Sequence, residues 1–372
     1  MSGSGDVETL TVAFDASPLL GPMTGVGAAV SNMAHSLADR NDVSLKHYAC
    51  SFRGALDAEM TRLPLPAAVA HRLWARTPFP RMDRWLRPAQ LVHGTNYVVP
   101  PSRLPRVVSV YDCWFLRNPQ HAVGDVTRAG KVLRRAVHHG AVVHASSHAT
   151  AEAVRELLDA PRVEVIPLAP LPVGSGSAGT APVAELVDVP FVLALGTLER
   201  RKNLPQLISA FGKIANLHPT LRLVLAGAPA DDRDAVNTAI DTLHPNARNR
   251  VMLTGRIQSE AKQWLLGAAS VLAYPSLDEG FGFPLLEAMQ RGVPVVASTA
   301  GSIPEVVADA AVLVDPHDSD ALAGALAAVL DDESRRQGLI AAGYERVKHF
   351  TWTQTADGLA SLYRRLVQEH DR

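Results

Sequence analysis

SLDEGFGFPLLEAMQRGVPVVAS, residues 276–298, is the most informative segment of this 372-residue chain. The apolar run SVLAY, residues 270–274, stands directly before it and has the length of a buried strand. Pro284 follows a Gly-aromatic-Gly turn, and proline is tolerated in the first turn of a helix because the amide hydrogen that it lacks has no partner there. The segment therefore predicts a strand, a tight turn and a new helix in succession.

Two glutamates stand eight residues apart in this segment, Glu279 before the turn and Glu287 inside the predicted helix. A carboxylate can accept hydrogen bonds from two neighbouring hydroxyl groups. Between them, Gly280, Phe281 and Gly282 would present backbone amides at a helix N-terminus, where free N–H groups and the helix dipole favour an anion. The layout suits a sugar at Glu279, a ribose at Glu287 and a diphosphate between them. The structural alternative is a solvated loop charge and a surface helix residue.

A cationic cluster follows another apolar run, FVLAL, residues 191–195, which predicts a strand. Arg201 and Lys202 come shortly after it and would lie at the carboxyl edge of the sheet, with Arg200 as a third candidate. Fixed cations stabilise the charge on a departing diphosphate, with arginine binding phosphate oxygens bidentately and lysine acting as a point charge. The structural alternative is a solvated basic triplet at a helix start.

Glu279 and Glu287 resemble the E-x7-E motif of the family-4 retaining glycosyltransferases, which have the GT-B fold. Two glutamates at this spacing are common by chance, but the surrounding EGFGFPLLEAM and the preceding GTLERRKN make the match specific. The resemblance covers nearly the whole chain. It further includes residues 25–27 (GVG), 91–96 (LVHGTN), 107–112 (VVSVYD), 146 (Ser) and 253–257 (LTGRI).

The resemblance implies that the C-terminal half holds a nucleotide-sugar. Gly196 and Thr197 would line the donor site, and Gly255, Arg256 and Ile257 would lie near the base or ribose. Many relatives have an arginine directly after the glycine that matches Gly196. Because this chain has threonine there, the resemblance shifts that role to Arg201.

The resemblance also implies that the N-terminal half receives the acceptor. Asp112 ends the strand VVSVY, where it could orient an acceptor hydroxyl or accept its proton, or simply cap a turn. Relatives frequently have His-Asp here, but this chain has Tyr111, which shifts weight onto Asp112. His93 and Asn96 are further acceptor-side candidates, with a hydrogen-bonded core histidine as the alternative for His93. Ser146 is expected to cap the helix that follows it.

Gly25, Val26 and Gly27 invite comparison with the dinucleotide fingerprint G-x-G-x-x-G. They stand ten residues beyond the predicted strand end at Asp15 and lack the third glycine, so a nicotinamide site is not expected. The resemblance makes them a flexible loop at the cleft wall that approaches the donor phosphates or the acceptor. A purely structural turn is the alternative.

Strand-length apolar runs alternate with helix-period segments along the whole chain, which predicts an α/β protein with two doubly wound parallel sheets. The predicted strands are residues 9–14, 43–48, 90–93, 107–111, 141–145, 163–166, 191–195, 221–226, 250–253, 270–274, 294–297 and 311–314. The predicted helices include residues 204–217, 259–268, 284–291, 318–330 (capped by Asp318 or Ser319) and 350–368.

The length of the chain predicts two domains. We expect an acceptor-binding Rossmann-like domain over residues 1–170, a Gly/Ser/Pro-rich linker over 171–190 and a nucleotide-sugar-binding Rossmann-like domain over 191–350. Residues 351–372 would form a helix that packs back toward the first domain, as the resemblance implies. The two domains would face each other across a central cleft.

Composition places the protein in the cytoplasm. The chain is 47% hydrophobic and 20% charged, and no apolar run approaches the ~18 residues of a membrane-spanning helix. The start MSGSGDVETL lacks the pattern of a secretory signal and is expected to be a short disordered lead. Two cysteines, Cys50 and Cys113, form neither a disulfide framework nor a metal-spaced cluster, which agrees with a reducing compartment.

The net charge of −1 hides an asymmetry between the two halves. Residues 1–170 carry 18 Lys+Arg and 14 Asp+Glu, or +4, and residues 171–372 carry 18 and 23, or −5. Within residues 62–106, eight arginines and one acid, Asp83, are interleaved with aromatic residues. This segment predicts a peripheral membrane contact or an anionic acceptor such as a lipid-linked phosphate, or else a solvated helix pair.

Taken with the resemblance, these patterns predict a retaining glycosyltransferase that moves a hexose from a nucleoside diphosphate to an acceptor hydroxyl. The motifs look most like mannosyltransferases of polysaccharide assembly, which makes GDP-mannose the first candidate donor. The acceptor could be a glycan, a lipid-linked sugar or a small molecule. No metal, other cofactor or nucleic acid is expected. The alternatives are a GT-B epimerase or phosphorylase and a non-catalytic nucleotide-sugar-binding protein.

Overall fold

A computed structural model describes residues 9–21, 23–51, 60–121, 124–172 and 184–372. It divides into two compact units, Met1–Ala169 with Thr351–Arg372, and Pro170–Phe350. Residues 1–8 of the predicted disordered lead and the GSGSAGT stretch of the predicted linker lie outside the described residues, whereas Leu10 already belongs to the first strand. In the part of the chain that is described, no helix has the length and apolar character needed to cross a membrane.

The first unit is built on a seven-stranded parallel sheet of order β3-β2-β1-β4-β5-β6-β7. All six strands predicted for this half are present. The strands are β1 (Leu10–Asp15), β2 (Val43–Ala49), β3 (Thr61–Arg62), β4 (Leu91–Gly94), β5 (Arg106–Val110), β6 (Val142–Ala145) and β7 (Val163–Val165). The sequence did not predict β3, because two residues carry no readable periodicity.

Helices cover the faces of this sheet. They are α1 (Gly25–Ala38), α2 (Ala67–Trp74), α3 (Asp83–Leu86), α4 (Trp114–Arg117), α5 (Asp125–His138) and α6 (His148–Leu158). Ser147 caps α6, its hydroxyl accepting a hydrogen bond from Thr150 N at 3.0 Å. The prediction that Ser146 is the cap was wrong by one residue, because Ser147 has the extended backbone that an N-cap requires.

The second unit has a six-stranded sheet of order β10-β9-β8-β11-β12-β13, again entirely parallel. Its strands are β8 (Phe191–Leu195), β9 (Arg222–Ala226), β10 (Val251–Gly255), β11 (Val271–Tyr274), β12 (Val295–Ser298) and β13 (Val312–Val314). Every residue of β8 is buried, as expected of a central strand covered on both faces.

The helices of the second unit are α7 (Leu204–Ile214), α8 (Arg233–Asp241), α9 (Pro245–Arg248), α10 (Ser259–Ala268), α11 (Phe283–Met289), α12 (Ile303–Val307), α13 (Ser319–Asp331) and α14 (Glu333–Val347). Pro284 lies in the first turn of α11, as predicted. Of the two predicted caps of α13, Asp318 is the one used: Oδ1 accepts from the amides of Asp320 and Ala321, both at 2.9 Å.

The last helix, α15 (Trp352–His370), belongs to the first unit and packs on α1 and β4. A capping box between Thr351 and Gln354 fixes its start. Thr355 donates a hydrogen bond to the carbonyl of Pro167 at 2.7 Å, and Gly358 lets α15 approach Ile166 so closely that a Cβ would lie 2.8 Å from that side chain.

The strand order reverses between β1 and β4 in the first sheet and between β8 and β11 in the second. At such a point the crossover helices leave to opposite faces, and a crevice opens beyond the carboxyl ends of the strands. The segments that follow β8 and β11 contain the predicted cations and Glu279. The predicted fold class, two doubly wound parallel α/β sheets, is therefore confirmed.

Candidate active site

The basic triplet lies in a single 3-10 turn, Arg200–Lys202, between β8 and α7. Asn203 ends this turn in the left-handed conformation, with φ of 55°, and its side-chain amide donates to the carbonyls of Pro275 (3.1 Å) and Pro316 (2.7 Å). The amide of Leu277 donates to the carbonyl of Arg201 at 2.8 Å. These bonds attach the turn to the loop after β11, which brings residues 200–203 to residues 275–279.

Glu279 accepts hydrogen bonds from both predicted cations. Arg201 Nη1 lies 2.5 Å from Oε2, and Lys202 Nζ lies 2.6 Å from Oε1. Glu279 is only 6% exposed. Burial by itself would raise the pKa of its carboxyl, but the charges of Arg201 and Lys202 outweigh burial and lower the pKa to about 2. The interpretation of Glu279 as a solvated loop charge is therefore wrong.

Lys202 also contacts Tyr274, the last residue of β11. Its ammonium donates to the tyrosine hydroxyl at 3.0 Å and stands 4.7 Å from the centre of the ring. Burial lowers the pKa of Lys202, while the neighbouring Glu279 opposes that shift. Sequence analysis missed Tyr274 as a site residue, although its position at the end of a strand next to β8 was a usable signal.

Glycines make room for this cluster. Gly301, with φ of +55°, lies against the backbone of Glu279: a Cβ there would be 2.6 Å from both its nitrogen and its oxygen. Gly196, with φ of +144°, allows the Lys202 side chain to cross the end of β8, since a Cβ would be 3.0 Å from Lys202 Cε. Gly301 was not predicted, because its role depends on a contact between distant segments.

Glu287 lies in α11 and is 4% exposed, so it is not a surface helix residue. Lys262 of α10 donates to its Oε1 at 2.7 Å. Sequence analysis did not identify Lys262, because the pairing of α10 with α11 is set by the fold. A buried carboxylate with one cationic partner keeps lone pairs free for further donors such as hydroxyl groups.

The turn before α11 is formed by Gly280, Phe281 and Gly282. Gly282 has φ of +83°, which glycine adopts readily, and α11 begins at the next residue. Phe281 is buried and packs edge-on against Phe283 (5.3 Å between ring centres) and Phe350 (5.7 Å). Its side chain therefore supports the turn, and the prediction that the backbone amides of Gly280, Phe281 and Gly282 face the donor stays a prediction.

The other predicted donor residues lie further along the same edge of the sheet. Thr197 is half-buried directly after β8 and Gly196. Gly255 is the last residue of the edge strand β10, which β9 separates from β8. Arg256 and Ile257 follow it and lead into α10, which carries Lys262, the partner of Glu287.

In the first unit, Gly25, Val26 and Gly27 do not form the predicted loop. They make the first turn of α1, and the Thr24 side chain caps this helix by accepting from Gly27 N at 3.1 Å. A Cβ on Gly27 would stand 3.0 Å from the carbonyl oxygen of Pro18. Gly27 therefore permits close packing at a helix start, which agrees with the purely structural alternative.

His93 is a core residue. It has no exposed surface, and its ring nitrogens lie 2.6 Å from the Tyr363 hydroxyl and 2.8 Å from the Ser109 hydroxyl. Burial, followed by the neighbouring His144, holds the pKa of His93 well below its usual range, so the ring is neutral. Of the two interpretations left open for His93, the structure favours the hydrogen-bonded core histidine.

Asp112 is half-buried, and its Oδ1 accepts from Trp114 N at 3.1 Å, which closes a turn. This contact matches the structural alternative for Asp112. Asn96 instead lines a cavity of about 180 Å³ at the carboxyl edge of the first sheet, together with Asp15, Tyr48, His71 and other residues.

Asp15, the last residue of β1, was missed as a candidate. It is 7% exposed, and its Oδ1 accepts from the amide (2.9 Å) and the hydroxyl (2.6 Å) of Ser17. Burial raises the pKa of Asp15 to about 6, although the bonds from Ser17 act in the opposite direction. The available signal was its place at the end of a strand, in the sequence AFDAS. Among the described residues, no group of three or more His, Cys, Asp or Glu side chains could hold a metal ion.

Comparison with known proteins assigns the second unit to a family. A family profile described as "Glycosyl transferases group 1" matches residues 182–346. The chain is 28% identical to the O-antigen chain mannosyltransferase B of Escherichia coli over an alignment of 400 residues. This alignment covers 96% of this chain and 100% of that protein.

Solved structures share the fold of the chain. Sucrose-phosphate synthase of Thermosynechococcus elongatus matches with a TM-score of 0.72 and 20% identity, over 97% of this chain and 100% of that one. HepE of Anabaena in complex with UDP and glucose matches with a TM-score of 0.66 and 18% identity, over 96% and 100%. These matches confirm the GT-B fold, and the family profile identifies a group 1 glycosyl transferase domain over residues 182–346. The chain is a glycosyltransferase with the GT-B fold and a group 1 glycosyl transferase domain.

Proposed function

We propose that this enzyme transfers a hexose, with retention of the anomeric configuration, from a nucleoside diphosphate to an acceptor hydroxyl, and that GDP-mannose is the donor. The observation that carries the proposal is the contact of Glu279 with both Arg201 and Lys202 beyond β8 and β11. A carboxylate that binds sugar hydroxyls stands here beside two cations that bind phosphate. That combination is what a nucleotide-sugar requires.

In the proposed reaction, Glu279 holds hydroxyls of the transferred sugar, and the diphosphate lies against Arg201 and Lys202. The bond between the anomeric carbon and the diphosphate oxygen breaks while the acceptor oxygen attacks from the face that the diphosphate vacates. The acceptor proton moves to the departing phosphate oxygen. Both cations stabilise the negative charge that develops there, in a buried site where such stabilisation is strongest.

The Glu287–Lys262 pair is proposed to hold the ribose. Glu287 can accept bonds from the two ribose hydroxyls, and Lys262 keeps the buried carboxylate charged. Gly255, Arg256 and Ile257 precede α10, so we propose that their loop contacts the base. No metal or other cofactor takes part in this scheme, because cationic side chains supply the charge that a divalent ion supplies elsewhere.

The acceptor is proposed to bind in the first unit, with its hydroxyl held by Asp15 and Asn96 in the cavity of about 180 Å³. A carboxyl with a pKa of about 6 is mostly ionised at neutral pH, so it can accept a hydrogen bond that orients the acceptor hydroxyl. Asp112 has one oxygen engaged in its turn, so we assign it a secondary role. Cys50 and Cys113 are buried and are not joined in a disulfide, which agrees with the proposed cytoplasmic reaction.

A donor screen tests the proposal. The purified enzyme would be incubated with GDP-mannose, UDP-glucose, UDP-N-acetylglucosamine and dTDP-sugars, with release of the nucleoside diphosphate as the readout. The mannosyltransferase relative favours GDP-mannose, whereas HepE binds UDP, so both bases belong in the screen. NMR coupling at the anomeric carbon of the product would report retention.

Each alternative predicts a different outcome of this screen. An epimerase would convert the nucleotide-sugar without any acceptor, and a phosphorylase would require inorganic phosphate. A non-catalytic binding protein would be stabilised by a nucleotide without turnover. Preference for another base or sugar would refute the GDP-mannose assignment, and an inverted product would refute retention.

A further inference from the structure

A second cavity of the first unit has a strongly basic lining and adjoins the proposed acceptor cavity at Trp74, which lines both. Its volume is about 320 Å³. Its walls come from the end of α2 with the segment after it, from the loop between β4 and β5, and from α5. The residues are Trp74, Thr77, Pro78, Arg81, Val99, Pro101, Ser102, Arg106, Val132, Arg135, Ala136 and His139.

This cavity lies at the amino edge of the sheet. Arg106 is the first residue of β5, and His139 stands just before β6. Asp15 and Asn96 follow the carboxyl ends of β1 and β4. Because all strands of the sheet are parallel, these polar residues of the two cavities stand at opposite edges of the sheet, although both cavities reach Trp74.

Three arginines and no carboxylate line the cavity. Within the described ranges, no carboxylate oxygen lies within 4.0 Å of a guanidinium nitrogen of Arg81, Arg106 or Arg135. Asp83 is the acid that acts electrostatically on Arg81 and Arg106, but its Oδ1 already accepts from the Ser102 hydroxyl (2.8 Å) and from a backbone amide (2.7 Å).

The arginines that line the cavity have N–H groups that remain available to a ligand. Arg106 Nη2 donates to the carbonyl of His139 at 2.5 Å, which holds its guanidinium in the wall. Arg135 Nε is buried without a hydrogen-bond partner among the residues described. Burial, then Arg135, His138 and Arg106, lower the pKa of His139, and burial followed by Arg81 lowers the pKa of Arg106. These directions agree with a locally positive potential.

The opposite wall of the cavity is apolar. Trp74 is 2% exposed and keeps its indole N–H on the carbonyl of Pro80 at 3.2 Å, while Val99, Val132 and Ala136 complete the surface. An adjoining cavity of about 310 Å³ shares Ser102, Arg106 and His139 and adds Arg103 and Arg162. Arg162 is paired with Glu369, so the free positive charge is concentrated in the first cavity.

We propose that this basic cavity binds a phosphate-bearing ligand. Its phosphate or diphosphate is held by Arg81, Arg106 and Arg135, whose planar donor groups match phosphate oxygens, and its apolar part packs on Trp74. The ligand is either a free phosphorylated compound or the phosphate headgroup of a membrane lipid. This site goes beyond sugar transfer, since none of the proposed catalytic residues lines it.

Binding measurements on matched variants test this site. Arg81→Gln/Arg135→Gln removes two charges from the cavity, and Arg84→Gln/Arg134→Gln removes two exposed charges that do not line it. Inorganic pyrophosphate, measured by calorimetry, probes a free phosphorylated ligand. Sedimentation with phosphatidylcholine vesicles, with and without phosphatidylglycerol, probes a lipid headgroup. Donor-site binding of pyrophosphate is common to all three proteins and cancels.

We expect the wild type and the Arg84/Arg134 variant to bind one of these probes, and the Arg81/Arg135 variant to bind it at least roughly tenfold more weakly, since two charge-assisted contacts to the phosphate are lost. Turnover and thermal midpoint should be unchanged in both variants. Equal binding by all three proteins, no binding of either probe, or equal losses in the two variants would each overturn the proposal.

Discussion

At the scale of single residues, the site depends on one buried carboxylate shared by two cations. Glu279 is charged only because Arg201 and Lys202 offset its burial. Removing either cation leaves the buried Glu279 carboxylate with one counter-charge fewer. It also removes one proposed contact to the donor diphosphate. The effect on turnover should therefore greatly exceed that of removing an exposed lysine.

Lys202→Ala and Glu279→Ala should each lower kcat by on the order of a hundredfold or more, the usual cost of removing an electrostatic contact to the transition state. Lys348→Ala is the control, since this lysine is exposed and pairs only with Glu345 at the surface. Steady-state kinetics with circular dichroism would separate catalysis from unfolding. Wild-type turnover in both site variants would exclude the proposed mechanism.

Asp15 makes stability depend on pH. Its folded pKa of about 6 lies above the ordinary value of 3.8, so its contribution is fully present below about pH 4 and is lost as pH rises through 6. The loss amounts to about 3 kcal/mol. Asp15→Asn should remove this dependence, which urea unfolding at pH 4 and pH 7 would measure. If the free energy of unfolding changed with pH in the same way in the variant and the wild type, folding would not raise the pKa of Asp15.

The same variant tests the acceptor site. If Asp15 orients the acceptor, Asp15→Asn should lower kcat/KM for the acceptor while the KM for the donor stays close to that of the wild type. An unchanged acceptor kcat/KM would remove Asp15 from the proposed mechanism, whatever its effect on stability.

At the scale of elements, the site forms where two connections meet at the reversal of strand order. The 3-10 turn after β8 and the loop after β11 are attached by Asn203, and the segment between β12 and α12 supports the loop through Gly301. The amide of Ser302 donates to the carbonyl of Glu279 at 3.0 Å. Backbone contacts from the turn after β8 and from the segment before α12 thus position Glu279. A side chain at position 301 would disturb the second of these contacts.

Gly301→Ala should lower turnover strongly and destabilise the protein by more than about 1 kcal/mol, because alanine combines a positive φ with a clash against the Glu279 backbone. Gly324→Ala is the matched control: this glycine lies inside α13 with open space at its Cβ, and the change should stabilise by about 0.5–1 kcal/mol. Thermal unfolding and kinetics of both variants would test the contrast, and a fully active Gly301→Ala enzyme would contradict it.

At the scale of the whole molecule, the C-terminal helix completes the core of the first unit through a buried chain of hydrogen bonds. The carbonyl of Ile166 can only accept, so His144 Nε2 donates to it at 3.0 Å, and this fixes every other direction. Ser109 then donates to His144, His93 donates to Ser109, and the Tyr363 hydroxyl donates to His93, at 2.8, 2.8 and 2.6 Å. Each member is satisfied, although residues 93 and 363 are far apart in sequence.

Tyr363→Phe should cost about 1–3 kcal/mol, since it leaves a buried ring nitrogen of His93 without a donor. Tyr344→Phe is the control, because Tyr344 is 46% exposed. Chemical denaturation of the two variants would give the comparison. Equal free energies of unfolding would mean that water or another group replaces the lost donor.

The sequence by itself determined the elements and the chemistry. The runs FVLAL and SVLAY predicted strands because a doubly covered parallel strand is apolar at every position, and GTLERRKN with EGFGFPLLEAM identified the group 1 domain. In the folded unit Glu279 contacts both Arg201 and Lys202, whereas Glu287 is paired with Lys262. Periodicity and local motifs are short-range signals, so they were sufficient here.

Only the tertiary structure decided how distant segments meet. It paired Lys262 with Glu287, placed Gly301 against the backbone of Glu279 and brought the Tyr363 hydroxyl to the His93 ring. No local sequence pattern indicates any of these contacts. It also placed Gly25 and Gly27 in a helix start rather than in the loop that the resemblance implied, and it favoured the core interpretation of His93, which the sequence had left open. Burial and pairing follow from long-range packing, which no single segment of the chain encodes.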